Sequence, residues 1–331
     1  MPGMTSITLQ ARGETHPNLR PLNVLRDLPS VADLVELCFS NTMDNDGRNY
    51  VKQMRDAGRD SYFLSWANKM TETASLPLSG FVWEENSKIV GNASLIPFRH
   101  NKQKIYLIAN VAAHPDYRRR GIARALTERS MQNARQKKAD SIWLHVRDDN
   151  PGAVKLYLDL GFVERARRTT WQANTDPLLS APETGFNITG RSSHFWLQQR
   201  EWLQRLHPDE LAWHHNWNWK SLEPGLWNWL YRLFVEAEIR QWAALKNGTL
   251  QAVLSWMPIG GRYTDPLWMA MNPDGDETAL KVLLLTARRE LSHRRYLSLE
   301  YPAGTAVDAI QSAGFSAQRT LIWMQAPGAT S

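Results

Sequence analysis

Apolar and polar positions along the chain change their spacing in a regular order. Strand-like runs at 81–84, 88–97 and 105–113 give way to apolar residues at helical spacing over 121–137, then to a β-like run at 141–146. Residues 151–160 are helical again, with Val154, Tyr157 and Leu158 on the apolar spacing and Gly161 as the stop, and 162–171 returns to strand. Upstream, 22–25 reads as a first strand, and 28–39 and 49–57 read as helices. The second half repeats this plan. It predicts strands at 239–245, 250–257 and 263–271, a helix at 277–292, a strand at 296–301, a helix at 306–313 and a strand at 315–324. His114-Pro115-Asp116 is matched by Asn272-Pro273-Asp274, and Leu160-Gly161-Phe162 by Ala313-Gly314-Phe315, so an internal duplication is expected. Between the halves, 174–190 is rich in turn and breaker residues and reads as a linker, dividing the chain into domains at 1–173 and 191–331.

Composition supports two packed domains. With 43% apolar and 22% charged residues in 331, each half can bury a core, which excludes a disordered chain. No run approaches the ~20 apolar residues that cross a bilayer, and residues 1–20 lack the apolar stretch of a secretion signal, so a cytoplasmic protein without membrane contact is expected. Cys38 is the single cysteine, which excludes an internal disulfide and a multi-cysteine zinc site. The net charge of +6 is uneven: residues 1–175 hold 25 Lys and Arg against 18 Asp and Glu, residues 176–331 hold 14 against 15. Tryptophan runs the other way, with eleven of fifteen in the second half.

The densest chemistry lies at 110–125. An extended apolar run ends at His114-Pro115 and leads through Arg118, Arg119, Arg120 and Gly121 into a helix. Gly121 lets the backbone approach a ligand, the first helical turn presents unpaired amides and its positive dipole end, and the arginines add charge. These are the attributes of a phosphate site. A solvated basic turn would give the same tripeptide, so the flanking residues decide.

Arg118-Arg119-Arg120-Gly121-Ile122-Ala123 fits the signature Arg/Gln-x-x-Gly-x-Gly/Ala, and Asn150-Pro151-Gly152-Ala153-Val154-Lys155-Leu156-Tyr157 follows at a fixed distance. In this order the two segments resemble motifs A and B of the GCN5-related N-acetyltransferases (GNAT), over about residues 19–172. The resemblance implies an α+β fold of two tandem GNAT-like domains, each a mixed, mostly antiparallel sheet flanked by helices. It implies acetyl-CoA as co-substrate and no metal. The pyrophosphate would lie on the loop and amides of Arg118, Arg119, Arg120, Gly121, Ile122, Ala123 and Arg124. The pantetheine arm would pair like an added strand with Val111, Ala112 and Ala113 and bond to Asn150. Tyr157 would be the general acid for the departing thiolate.

The base is less determined by the resemblance. An ammonium must lose its proton before its nitrogen can attack a thioester. Many members carry a Glu on the strand before the phosphate loop, but 104–113 holds no carboxylate. Others place a Glu on the next strand, and here that position is His145, whose ordinary pKa of ~6.5 suits a base. Glu84, Glu85 and His100 are the remaining candidates.

The second half is expected to be degenerate. Asp276, Glu277, Thr278 and Ala279 stand where the first half has Arg118 to Gly121, Ile310 where it has Tyr157, and Ala303 where it has Asn150. Two carboxylates would repel a pyrophosphate. The tryptophans at 196, 202, 213, 217, 219, 227 and 229 suggest packing between domains or a substrate cleft, and the adjacent His214 and His215 do not make a metal site. The expected activity is direct acetyl transfer in a ternary complex to a small-molecule or peptide amine. The acceptor would enter near residues 28–57, where Asp44 and Asp46 could favour a cation. The chain would be a monomer with an intramolecular pseudo-dimer, or a homodimer, without a nucleic-acid partner. A non-catalytic CoA sensor is the rival; it would have no use for the acid at Tyr157.

Overall fold

The computed structural model describes residues 16–43, 45–57, 79–178, 185–214, 222–225, 238–258 and 264–329. The first half runs β1 (Leu19–Pro21), α1 (Val24–Phe39), α2 (Asn45–Ala57), β2 (Gly80–Glu85), β3 (Lys88–His100), β4 (Gln103–Ala113), α3 (Ile122–Gln136), β5 (Ser141–Arg147), α4 (Pro151–Asp159) and β6 (Val163–Asn174). The second half runs β7 (Asn187–Gly190), α5 (Trp196–Leu206), β8 (Arg240–Lys246), β9 (Thr249–Trp256), β10 (Asp265–Met271), α6 (Thr278–Glu290), β11 (Tyr296–Pro302), α7 (Val307–Ser312) and β12 (Ser316–Pro327). Asn86-Ser87, Asn101-Lys102 and Asn247-Gly248 turn the hairpins with positive φ at both positions, as two-residue hairpin loops require.

Three elements differ from the sequence expectation. The strand expected at 22–25 is the start of α1, because the Asn23 side chain accepts from the Arg26 amide and caps the helix there. The observed strand is β1, just before it. Residues 187–190, within the expected linker, form β7 and pair with β8. Helix α5 was not expected, since its tryptophans masked the helical spacing; it buries Trp196, Gln199, Trp202 and Leu203.

All twelve strands join one sheet in the order β1-β2-β3-β4-β5-β12-β6-β11-β10-β9-β8-β7. The last strand of each half has therefore crossed into the other: β12 lies beside β5, and β6 lies beside β11. The pairing of β6 with β12 is a pseudo-two-fold. Leu321 faces Arg168 on the axis, Thr320–Thr169 is mirrored by Ile322–Arg167, Arg319–Thr170 by Trp323–Ala166, and Ala317–Trp171 by Met324–Glu164, with a register shift at matching places in both strands. The duplication seen in the sequence is thus preserved in hydrogen-bond register. The turns agree too. His114 Nδ1 accepts from the Asp116 amide at 3.3 Å, and Asn272 Oδ1 accepts from the Asp274 amide at 3.2 Å.

Alternate residues of β5 face different layers. Ile142, Leu144 and Val146 pack with Ile122, Leu126 and Tyr157 under α3 and α4. Trp143 packs with Ile105, Leu107, Trp323 and Trp213 on the other face. A short turn at Ala212–His214 brings Trp213 from the second half onto this face. No helix among the described residues is long and apolar enough to cross a membrane.

Candidate active site

The site begins where β4 and β5 part. Their parallel ladder runs from Ile105–Ser141 to Ile108–Leu144 and stops, so residues 109–113 have no partner on β5. On its other side β4 bulges: the β3–β4 register shifts opposite Asn110, which takes φ 51°. Asn92 Nδ2 donates to the Asn110 carbonyl at 3.0 Å, and Asn110 Nδ2 donates to the Tyr50 hydroxyl at 3.0 Å, which pins the bulge to α2. Burial pushes the Tyr50 phenol up to about 12, so it stays a neutral hydrogen-bonding group. Asn110 was not singled out as a site residue, although an Asn in an apolar strand is a signal for a bulge.

Beside this split, α3 begins without a side-chain cap. Arg119 at φ 63° and Gly121 at φ 79° turn the loop through two left-handed positions, and an added Cβ at Gly121 would meet nothing within 4 Å. Gly121 is needed for its backbone, and the open amides of the first turn suit an anion. A cavity of about 1060 Å³ joins the split to this turn. Val111, Ala112, Ala113, Arg118, Arg119, Gly121, Ile122, Ala123, Arg124, His145, Asn150 and Tyr157 all line it. Arg120 is the exception. Its guanidinium pairs with Glu85 at 3.1 Å and lies over the Tyr117 ring, so its side chain holds the loop and does not face the cavity.

The other predicted residues have definite places. Asn150 caps α4, its Oδ1 accepting from the Ala153 amide at 3.2 Å, and it lines the cavity. Tyr157 is buried on α4, and burial raises its phenol above the ordinary value. His145 lines the cavity from the opposite face of the sheet, with the Trp323 ring at 4.1 Å, His214 edge-on at 4.7 Å and Trp213 stacked at 6.2 Å. Glu84 bonds Arg20 and Arg26, Glu85 bonds Arg120, and His100 ends β3; none of the three lines the cavity. Cys38 lines the cavity from α1, where burial raises its thiol and its Sγ donates to the Ala113 carbonyl at 3.4 Å. Two lining residues, Arg319 and Leu321, come from β12, and no sequence signal connects them to the first half.

The matching region of the second half is built otherwise. Asp276 Oδ1 accepts from the Thr278 amide at 2.8 Å, so the chain supplies its own anion at the start of α6. Opposite Leu321 across the pseudo-axis, Arg168 is buried against Glu300 at 2.6 Å and donates to the Leu206 carbonyl at 2.8 Å. Ile310, at the Tyr157 position, is fully buried in an apolar core. Trp196 and Trp202 pack within the second half, whereas 215, 217, 219, 227 and 229 lie outside the described residues, as does Asp44. Among the described residues no cluster of three potential metal ligands is present.

Residues 45–162 match the acetyltransferase (GNAT) family. The [ribosomal protein bS18]-alanine N-acetyltransferase of Escherichia coli (strain K12) is 39% identical over 67 residues, which is 20% of this chain and 45% of that protein. The chain spans about half the length of the curated relatives it matches there. A GCN5-related N-acetyltransferase from Sphaerobacter thermophilus superposes with a TM-score of 0.59 at 14% identity, over 96% of this chain and 98% of its own. A tandem GNAT protein from the clavulanic acid biosynthesis pathway does so with a TM-score of 0.52 at 16% identity, over 95% and 99%. These likenesses establish the fold across both halves. With the split strands, the open helix start and the matched motifs in one place, residues 45–162 are a domain of the GNAT acetyltransferase family, set in a chain whose whole fold is that of a two-lobed GNAT protein.

Proposed function

We propose that the chain is an N-acetyltransferase that takes acetyl-CoA in its first lobe and passes the acetyl group directly to a primary amine. The observation that carries this reading is the cavity that joins the unpaired edge of 109–113, the uncapped start of α3 and the Tyr157 phenol. The open edge accepts an extended pantetheine arm as a further strand, small Ala112 and Ala113 leave it room, and Asn150 donates to it. The loop amides, with Arg118 and Arg119, hold the diphosphate.

In the reaction the amine nitrogen attacks the thioester carbon, a C–N bond forms and the C–S bond breaks. The departing thiolate takes the Tyr157 proton, and the amine gives up its own to a base or water chain on the acceptor side. We assign that step to His145, which lines the cavity from the sheet face opposite Tyr157. Acid and base thus reach one cavity from two sides. The second lobe is a scaffold that binds no CoA, because Asp276 already satisfies its helix start and Arg168 with Glu300 fills the region beside β11.

The test is thermal unfolding with acetyl-CoA and with desulfo-CoA. Both ligands should raise the melting temperature, because the grip is on phosphate and pantetheine rather than on sulfur. If neither does, the assignment fails.

A further inference from the structure

We infer that Asn92 is a positioning residue for acetyl transfer: its buried carboxamide holds an extra residue in β4 and so sets which backbone groups of 109–113 face the thioester. This rests on the acetyltransferase reading above.

The two lobes supply the comparison. Aligning Pro115 with Pro273 sets Ala112 on Ala270 and Asn110 on Trp268. Across the neighbouring strand Ala112 faces Asn92 and Ala270 faces Val253, so Val253 is the second lobe's counterpart of Asn92. From there the ladders differ. In the second lobe β9 and β10 stay in step from Ala252–Met271 to Trp256–Leu267. In the first, the pair after Asn92–Ala112 is Ser94–Ala109, two residues along β3 against three along β4. The parallel ladder on the other side differs as well. β10 pairs with β11 as far as Leu267, the counterpart of Ala109, whereas β4 leaves β5 one residue sooner, at Ile108.

Asn92 supplies the bonds that hold this difference. It is fully buried, and its Nδ2 donates to the Asn110 carbonyl at 3.0 Å and to Ser94 Oγ at 3.2 Å. Asn110 Nδ2 in turn donates to the Tyr50 hydroxyl at 3.0 Å and to the same Ser94 Oγ at 3.4 Å. Val253 has no polar atom to offer and is buried in an apolar cluster. The shared fold does not require the Asn. Its Oδ1 is buried with no hydrogen-bond partner among the described residues, a cost that a valine avoids. Successive backbone groups of a strand point alternately to its two sides, so one inserted residue reverses, beyond it, which of them point into the split. The inserted residue falls within the cavity wall, between the end of the β4–β5 ladder and the small Ala112 and Ala113.

The experiment reads the carbonyl stretch of acetyl-CoA, isotope-labelled at the thioester carbonyl, by difference infrared spectroscopy of the bound complex; it needs no acceptor. In the parent protein the stretch should lie below that of free acetyl-CoA, through hydrogen bonding to the amides that face it. In Asn92→Val it should return to the free value, while the thermal shifts with acetyl-CoA and desulfo-CoA are kept. Free-CoA release is followed alongside with phenethylamine, cadaverine, lysine and a dipeptide. For the amines the parent uses, kcat should fall about 100-fold in Asn92→Val, as for a small misplacement of the reacting group, with KM for acetyl-CoA within about threefold. In Asn92→Asp, burial raises the carboxyl, which donates to the Asn110 carbonyl only while protonated. Its stretch should therefore match the parent's near about pH 6 and depart from it near about pH 9. An undisplaced stretch in the parent, an unchanged stretch or kcat in a folded Asn92→Val protein, a pH-independent Asn92→Asp, or loss of the desulfo-CoA shift in step with kcat overturns the proposal. Absence of both thermal shifts in the parent would instead overturn the reading on which it rests.

Discussion

At the scale of single residues, Tyr157 and Asp27 carry opposite kinds of work. Tyr157 is raised by burial, so its phenol stays protonated through the neutral and mildly alkaline range where an amine is most nucleophilic. Replacing it by Phe should lower kcat about 100-fold, within the usual span for a lost general acid, while acetyl-CoA affinity stays within about threefold; stopped-time CoA release and equilibrium titration separate the two. Asp27 is buried under Arg20 and Arg26. Burial alone would raise its carboxyl, but bonds from both guanidinium groups and from the Asn23 amide leave it below the ordinary value. A lowered pKa stabilises the fold above the unfolded-state value of ~3.9, and that contribution is lost as pH falls through the lower folded value. Asp27→Asn should therefore cost about 2 kcal/mol near pH 7, as for hydrogen bonds to charged groups, and the difference between the denaturation curves of the two proteins should begin to shrink only below about pH 4. Tyr157 was legible in the sequence because its motif is local. Asp27 was not, since its partners Arg20 and Arg26, which also share Glu84, are gathered only when β1 and α1 pack on β2.

At the scale of elements, the placement of α3 decides whether its first turn can face the strand split. Gly91 on β3 allows this: a Cβ there would lie 2.6 Å from Ile122 Cγ2 and 3.0 Å from Leu126 Cδ1. Gly91→Ala should destabilise the protein by about 1–3 kcal/mol through overpacking and should weaken acetyl-CoA binding by tilting α3, both readable from thermal shifts with and without ligand. Gly121→Ala acts differently, since its Cβ would have room. It should cost about 1 kcal/mol from the left-handed backbone alone, with a matching loss of affinity if the loop relaxes. Most elements were legible because alternation and helical spacing report burial directly. Their ends were less so. Asn23 shifted the start of α1 by a capping bond, and the tryptophans of α5 hid a helix whose buried face includes Gln199.

At the scale of the whole molecule, the crossed strands make the two halves one folding unit. Residues 16–174 expressed alone would leave β5 without β12 and would send β6 out with both edges bare, a ready template for aggregation. That fragment should be insoluble or self-associated by gel filtration, and co-expression with residues 185–331 should recover a soluble complex that responds to acetyl-CoA. A soluble, monomeric first half that binds acetyl-CoA would show that the exchange is dispensable.

The sequence by itself carried the duplication, most of the elements and the two motif segments at 118–123 and 150–157, because each is written in spacing over a few dozen residues. It also set Asp276 and Ile310 at the positions aligned with Arg118 and Tyr157, which is the basis for the proposal that the second lobe binds no CoA. Only the tertiary structure decided that β12 completes the first lobe, that Arg319 and Leu321 enter its cavity, that Arg120 turns to Glu85, and that His145 rests against Trp213 and Trp323. The reason is physical. Local spacing records which face of a strand or helix is buried, whereas strand exchange depends on which distant edges hydrogen-bond, and backbone groups carry the same donors and acceptors at nearly every residue.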